Sequence, residues 1–419
     1  MSATVTMTSP RVAMLRADLA AGQPDALAAF WREIAASGAP LIEPIPSDVR
    51  HRLVTFVYRA ADAANVAVHG FLSGFDPARN QLHRLVGTDL WYRTYRARSD
   101  TRTTYRFAPN DPMIPLDEDP NGEEREAAWR TDPLNPQTFF FSEDSATPYV
   151  PDATHSVLTL PDAPSLARCA PRPDVPHGAV ETVGLHSAVL GNERRIWVYT
   201  PPAYAPERGP YVTAVFFDGH CYQRLIPTPT LLDNLLADGR LPPVIAIFVD
   251  SLGKTRGVEL PCNEQFALFV AQELMPWARE RYAVTRDPSL TVVAGVSLGG
   301  LAAAFVGLRH SELFGNVHSQ SGSFWRPVGV PADDAPESEW LVRQFVAAPR
   351  LPLRVYLDAG LLENRASAPF RPSVLQSNRH LRDVLALKGY PLHYAEFAGG
   401  HDFPCWQGTL ADGLVALLG

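Results

Sequence analysis

One pentapeptide constrains this chain more than any other feature. Gly295-Val296-Ser297-Leu298-Gly299 follows an apolar run at 290–294 and leads into the helix-forming stretch "LAAAFVGLRH" at 301–310. Gly-x-Ser-x-Gly between a β-run and a helix reads as a sharp strand–turn–helix junction. Its backbones approach too closely for side chains at the glycine positions. Such a turn lifts the serine hydroxyl above the carboxyl edge of a sheet and sets it at a helix N-terminus. There the Leu298 amide can face a developing oxyanion. The pentapeptide therefore demands a buried strand, a helix packed on it, and a reason to expose one hydroxyl.

The rest of the second half supplies that setting. Short apolar runs at 194–202, 212–219, 242–250, 290–295 and 352–360 alternate with helical stretches such as 263–282 and 372–389. Buried strands alternating with helices predict an α/β domain with a mostly parallel sheet covered on both faces. Ligands of such folds sit beyond the carboxyl ends of the strands. The first half has another texture. After an alanine-rich helical start at 11–36, segments 52–60, 65–71, 90–98 and 102–109 alternate with a period near two, as in an antiparallel β-sandwich. "ARSDTR" at 97–102 predicts that the last two form a hairpin. Prolines and acidic residues from 109 to 178 read as a strap and a linker. With 419 residues, two domains are expected. The predicted division is a helical segment at 1–37, a sandwich at 38–165, a linker at 166–179 and the α/β domain at 180–419.

A serine hydroxyl needs a base, and the chain order for this junction is nucleophile, acid, histidine. His380 lies in a helical pattern and His393 in a strand pattern. His401, in "AGGHDFPCW", follows a strand end on a Gly-Gly loop and is the expected base. "VYLDAGLLENR" ends the preceding strand. Asp358 lies within that strand, whereas Glu363 lies on the loop beyond Gly360 and is the favoured acid. Asp358, or a Ser–His pair with no carboxylate, stays open. The second oxyanion amide is expected after the third strand, in "FFDGHCY" at 216–222, from His220 at the turn made by Gly219. Asp218 is expected to brace that loop through backbone hydrogen bonds.

Composition narrows the chemistry. A formal net charge of -8 and a pI of about 5.8 argue against a general nucleic-acid or anionic-membrane binder. Cys169, Cys221, Cys262 and Cys405 show no Cys-x-x-Cys spacing, so neither a zinc site nor a disulfide framework is expected. No phosphate-loop or His-Glu-x-x-His motif is present. No signal-peptide pattern or membrane-length apolar run is visible, so the cytoplasm is the expected compartment. No resident metal or cofactor is expected. The positive charge is nearly all arginine, with Lys254 and Lys388 the two lysines.

Several stretches together resemble the enterochelin (enterobactin) esterases, which hydrolyse the trilactone backbone of ferric catecholate siderophores. They are 256–266, 292–303, 319–327, 358–363 and 399–408 in the second half. In the first half they are "GTDLWYRTYRARSDTRTTYRFAPND" at 87–111 and "DPLNP" at 132–136. Gly-x-Ser-x-Gly is common to many esterases, whereas the block at 87–111 is far more specific. The resemblance implies an N-terminal β-sandwich and a C-terminal α/β-hydrolase esterase, with Ser297, His401 and Glu363 as nucleophile, base and acid. It implies that Arg256, Glu259 and Asn263 line a ligand cleft, with Glu259 or Asn263 capping the following helix as the other reading, and it suggests Trp325 as an aromatic wall against catechol rings. The loop "DGHCYQR" departs from the family, whose members carry an aromatic after Asp-Gly. A ferric tris-catecholate is a small anionic partner, and Arg96 with the neighbouring arginines 93, 98, 102 and 106 is expected to supply charge against it. Iron is then carried by the substrate. The competing expectations are a same-fold esterase or acyltransferase acting on another ester, and a binder without turnover.

Overall fold

The computed structural model describes residues 8–142, 144, 152–328, 338–366 and 371–419; part of the expected strap, at 143 and 145–151, lies outside them. The described residues fall into two compact units. One comprises the chain up to Phe141, Asp152–Pro164 and, from near the far end, Ala398–Pro404. The other holds Ser165–Phe397, Cys405–Gly419 and the described part of Ser142–Pro151.

The larger unit is built on eight strands: β1 (Ala179–Ser187), β2 (Asn192–Thr200), β3 (Val212–Phe216), β4 (Val244–Val249), β5 (Thr291–Val296), β6 (Asn316–Gln320), β7 (Arg354–Gly360) and β8 (Leu392–Phe397). Their order across the sheet is β1-β2-β4-β3-β5-β6-β7-β8. β3 to β8 run parallel, while β2 runs against both its neighbours. Every residue of β3, β4, β5 and β6 is buried. That is why β3, β4 and β5 read as apolar runs rather than alternating ones, whereas β6, Asn-Val-His-Ser-Gln, buries mostly polar side chains. One face packs Val215, Ile247 and Val293 against Phe269, Leu301 and Phe305 from the crossover helices.

The helix expected at 263–282 is interrupted. Glu264–Phe269 and Met275–Arg281 are α-helical, and Val270–Leu274 form a π turn. Pro276 has no amide proton to continue the α-ladder. The wider turn aims Glu273 at the β1–β2 connection, where its carboxylate accepts the Ala188 and Val189 amides at 2.9 and 3.1 Å.

The smaller unit opens with the helices Pro10–Ala20 and Ala26–Ser37, adds the short helices Pro77–Asn80 and Gly122–Ala127, and contains two four-stranded antiparallel sheets. The first contains Leu41–Ile45, Asp48–Arg59, His83–Arg84 and Leu90–Arg98. The second contains Val66–Gly70, Arg102–Pro109, Thr138–Phe141 and Ala153–Thr159. Val54, Phe56 and Trp91 from one sheet share an apolar cluster with Val68, Tyr105 and Phe107 from the other. The expected hairpin is corrected here. Leu90–Arg98 pairs with Asp48–Arg59, whereas Arg102–Pro109 pairs with Val66–Gly70 and Ala153–Thr159. The turn at 99–101 carries the chain from one sheet to the other, so both strands face one core.

Candidate active site

β5 ends in the strained turn. Ser297 has φ 56° and ψ -119°, a backbone conformation that side chains rarely adopt. A Cβ on Gly295 would stand 2.2 Å from the Gly299 carbonyl, so glycine there is a steric requirement. Three backbone bonds hold the turn: Ser297 N–H to the Gln320 carbonyl at 2.9 Å, and Leu301 and Ser323 N–H to the Ser297 carbonyl at 3.0 Å each. Helix α2 (Leu298–Arg309) begins at the next residue, so the Leu298 amide has no intrahelical acceptor. The half-buried Ser297 hydroxyl lies 3.3 Å from that of Ser323.

The loop after β3 stands on the same sheet edge. Asp218 takes the left-handed conformation (φ 55°, ψ 52°), which Asp tolerates better than most residues, and the short helix α1 (Gly219–Arg224) follows. At Gly219 a Cβ would stand 2.9 Å from the Phe248 carbonyl carbon, so this chain turn too needs glycine. The His220 amide is among the first of α1 and has no acceptor within it. Its imidazole turns away, with Nε2 3.1 Å from the Ser142 carbonyl oxygen. Asp218 braces the loop through side chains rather than through the expected backbone bonds. Its carboxylate accepts two hydrogen bonds from Arg256, each 2.7 Å, and one from the Ser251 hydroxyl. Arg256 is only 5% exposed, so the structure turns an expected cleft-lining residue into a buried partner of Asp218. Glu259 is engaged likewise, gripping the buried Arg194 at 2.8 and 2.9 Å. Asn263 caps the following helix through the Gln265 and Phe266 amides.

The two carboxylates near the end of β7 differ sharply. One oxygen of Glu363 accepts the Ser321 hydroxyl at 2.9 Å and the Gly360 amide, and Ser321 in turn accepts the Trp406 indole N–H at 3.0 Å. Asp358 is fully buried within β7, and neither carboxyl oxygen has a well-formed hydrogen bond. Burial pushes its pKa up to about 8, and the Thr409 hydroxyl is the neighbour that opposes the shift most. Asp358 is thus a neutral acid at neutral pH, shut into the strand layer.

His401 belongs to the Ala398–Pro404 stretch of the smaller unit and is fixed there from both sides. A Cβ on Gly400 would overlap the Phe71 ring at 2.0 Å. Asp402 accepts Thr103 Oγ1 at 3.0 Å, Thr104 N–H at 2.7 Å and Thr104 Oγ1 at 2.9 Å. His380 instead meets Glu339 at 2.7 Å on the surface, and His393 is exposed on β8.

The arginine set expected to face an anion is largely occupied within the smaller unit. Arg96 bonds Asp48 at 2.6 Å and Arg98 bonds Asp100 at 2.7 and 2.9 Å. Arg93 donates to the Gln81 carbonyl, and Arg106 lies over the Trp129 ring and donates to the Glu126 carbonyl. Arg102 is buried. Trp325 is half-buried, directly after the fully buried Phe324. Next to it, Arg326 feels both burial and the charge of Arg256, and both pull its pKa down.

Sequence reasoning did not single out Ser321, Ser323, Trp406, Asp402 or Arg326. All but Asp402 and Trp406 lie in "SQSGSFWRP", and those two flank "FPC" right after His401. The nearness of these residues to the motif residues was the available signal.

Comparison with known proteins covers both units. The esterase family model matches residues 187–417, and the enterochelin esterase N-terminal model matches residues 53–168. The chain is 31% identical over 428 residues to the iron(III) enterobactin esterase of Dickeya dadantii, covering 93% of this chain and 92% of that one. The structure of the ferric enterobactin esterase from Salmonella typhimurium aligns with a TM-score of 0.73 at 30% identity, covering 93% and 98% of the two chains. The enterobactin esterase of Shigella flexneri, solved in the presence of enterobactin, aligns with a TM-score of 0.71 at 28% identity, covering 93% and 97%.

Proposed function

This chain belongs to the enterochelin esterase family, and from that premise we propose that it is a serine esterase cleaving the ester bonds of a ferric catecholate siderophore trilactone such as enterobactin. The observation that carries the reading is the conformation of Ser297. A non-glycine residue at φ 56° and ψ -119° is a strained turn with a hydroxyl at its apex. The Leu298 amide, with no acceptor inside its helix, follows it, and the His220 amide comes off the neighbouring strand of the same sheet edge.

In the proposed reaction His401 accepts the Ser297 proton as Oγ bonds to the ester carbonyl carbon. The carbonyl oxygen gains the electron pair and is held by the Leu298 and His220 amides. Collapse breaks the ester C–O bond, and the departing seryl alkoxide takes the proton from His401. Water, deprotonated by the same imidazole, then releases the acyl group as a carboxylic acid and restores Ser297. Glu363 serves as the acid that orients His401. Its carboxylate is prearranged by Ser321 and Gly360, whereas Asp358 is neutral and sealed. Trp325 offers a ring to the catechols. Of the charged groups, Arg326 beside Trp325 is the guanidinium we assign to an anionic ligand, because Arg256 is paired with Asp218 and Arg96 with Asp48. Iron arrives and leaves with the substrate. Among the described residues no helix is long and apolar enough to cross a membrane. All four cysteines are thiols, which supports a reducing, cytoplasmic compartment.

A ferric trilactone and a short p-nitrophenyl ester, compared as substrates, test the reading. We expect kcat/KM for the trilactone to exceed that for the simple ester by roughly a hundredfold or more, with acyl-serine units as products by mass spectrometry. Equal values, or no acyl-serine, would support the same fold acting on another ester.

A further inference from the structure

Asp218 brings a negative charge to the place where the proposed reaction builds another. Its side chain is 1% exposed, two residues before His220. One carboxylate oxygen lies 3.0 Å from where a Cβ on Gly299 would stand, so it is packed against α2 one residue beyond Leu298. The same carboxylate takes the Ser251 hydroxyl from just past β4. Asp218 thus joins the ends of β3, β4 and β5 and touches both segments whose amides face the oxyanion. As a bare carboxylate it would oppose the very charge those amides stabilise. Arg256 answers it with two donors, Nε to one oxygen and a terminal nitrogen to the other, each at 2.7 Å. The planar fork fixes orientation as well as charge, which a lysine does not.

Resting on the reading of Ser297 as nucleophile, we propose that Arg256, through its two-point grip on Asp218, is a positioning residue of the oxyanion site. It sets the spacing of the Leu298 and His220 amides and cancels a carboxylate that would otherwise oppose the transition state. Its effect therefore belongs to kcat, for charged and neutral esters alike. A residue that merely attracted an anionic substrate would act on KM, and for the anionic substrate alone.

The test is a double-mutant cycle with kcat and KM measured on a neutral p-nitrophenyl ester and on a ferric trilactone, alongside melting curves. Arg256→Gln is expected to lower kcat by about a hundredfold on both esters, with KM held within about threefold. Arg256→Lys, which keeps charge but loses the fork, falls between that variant and the parent. Asp218→Asn costs less than Arg256→Gln, because the charge left uncompensated is then positive. The double variant Asp218→Asn/Arg256→Gln regains about tenfold over Arg256→Gln, since no bare carboxylate remains. A double variant no faster than Arg256→Gln overturns the proposal. So does an Arg256→Gln variant that keeps kcat on the neutral ester and loses only KM for the trilactone. Should Arg256→Gln fail to fold, the single variants Arg256→Lys and Asp218→Asn decide. Both should stay within about tenfold of the parent in kcat, and a loss as deep as that of Ser297→Ala in either overturns the claim. Turnover that survives Ser297→Ala refutes the nucleophile itself, a failure distinct from that of the Arg256 cycle in an enzyme Ser297→Ala has silenced.

Discussion

Asp358 and Glu363 sit five positions apart at the end of one strand, and their surroundings differ sharply. Glu363 receives two hydrogen bonds on one oxygen, from the Ser321 hydroxyl and the Gly360 amide. Asp358 is fully buried with its pKa raised to about 8. An unfolded Asp titrates near ~3.9. Between those values the native state binds one more proton than the unfolded state, so stability falls as pH rises through the window. Below about pH 4 the group makes no difference, and above about pH 8 the full penalty applies. Asp358→Asn, which cannot ionise, should therefore raise the melting temperature most at pH 8–9, and the gain should vanish towards pH 4. Calorimetric melting temperatures of both proteins across that range check it. A difference that does not vary with pH would show that the carboxyl ionises freely in the fold. The sequence presented these two carboxylates as alternatives, because their spacing from the strand is visible there while their dielectric surroundings are not.

At the scale of elements, the legible parts were those whose constraints are local. The junction at 291–309 announces itself because strand, glycines and helix follow one another in the chain, and the structure gives it the strained turn the pattern requires. The hairpin at 90–109 misled because the two strands are adjacent in sequence while their partners are not. Which strand pairs with which depends on where Trp91 and Tyr105 bury their rings, and both face one cluster from opposite sheets. Support for the candidate site was invisible for the same reason. Ser323 lies 26 residues from Ser297, and Asp402 lies 298 residues from Thr104. That last contact makes the loop bearing His401 a fixed element, not a free one. Asp402→Ala removes every hydrogen bond Thr103 and Thr104 give to that carboxylate and should loosen the loop. We expect kcat on a simple ester to drop roughly ten- to a hundredfold, with KM little changed. Steady-state kinetics on the variant, with a melting curve to confirm folding, provides the check. Unchanged kcat would mean that His401 needs no such anchoring.

For the molecule as a whole, charge counts and domain boundaries were only coarsely readable. Arginine supplies nearly all the positive charge, yet the set on the first-half strands largely meets Asp48, Asp100 and backbone carbonyls in its own unit. Composition records how many guanidiniums exist, not which are already partnered. Nor does the chain divide at one linker, because Ala398–Pro404 belongs with the first-half unit while the residues on both sides of it belong with the other. What unites these features is the claim that Ser297 makes and breaks a covalent bond with the substrate acyl group. Intact-protein mass spectrometry of an acid-quenched reaction with a ferric trilactone tests this most directly. The account predicts one acyl adduct, mapped to the peptide bearing Ser297 and absent from Ser297→Ala, with turnover in that variant reduced by at least about 10³-fold. An adduct on another residue, or undiminished turnover by Ser297→Ala, would contradict it.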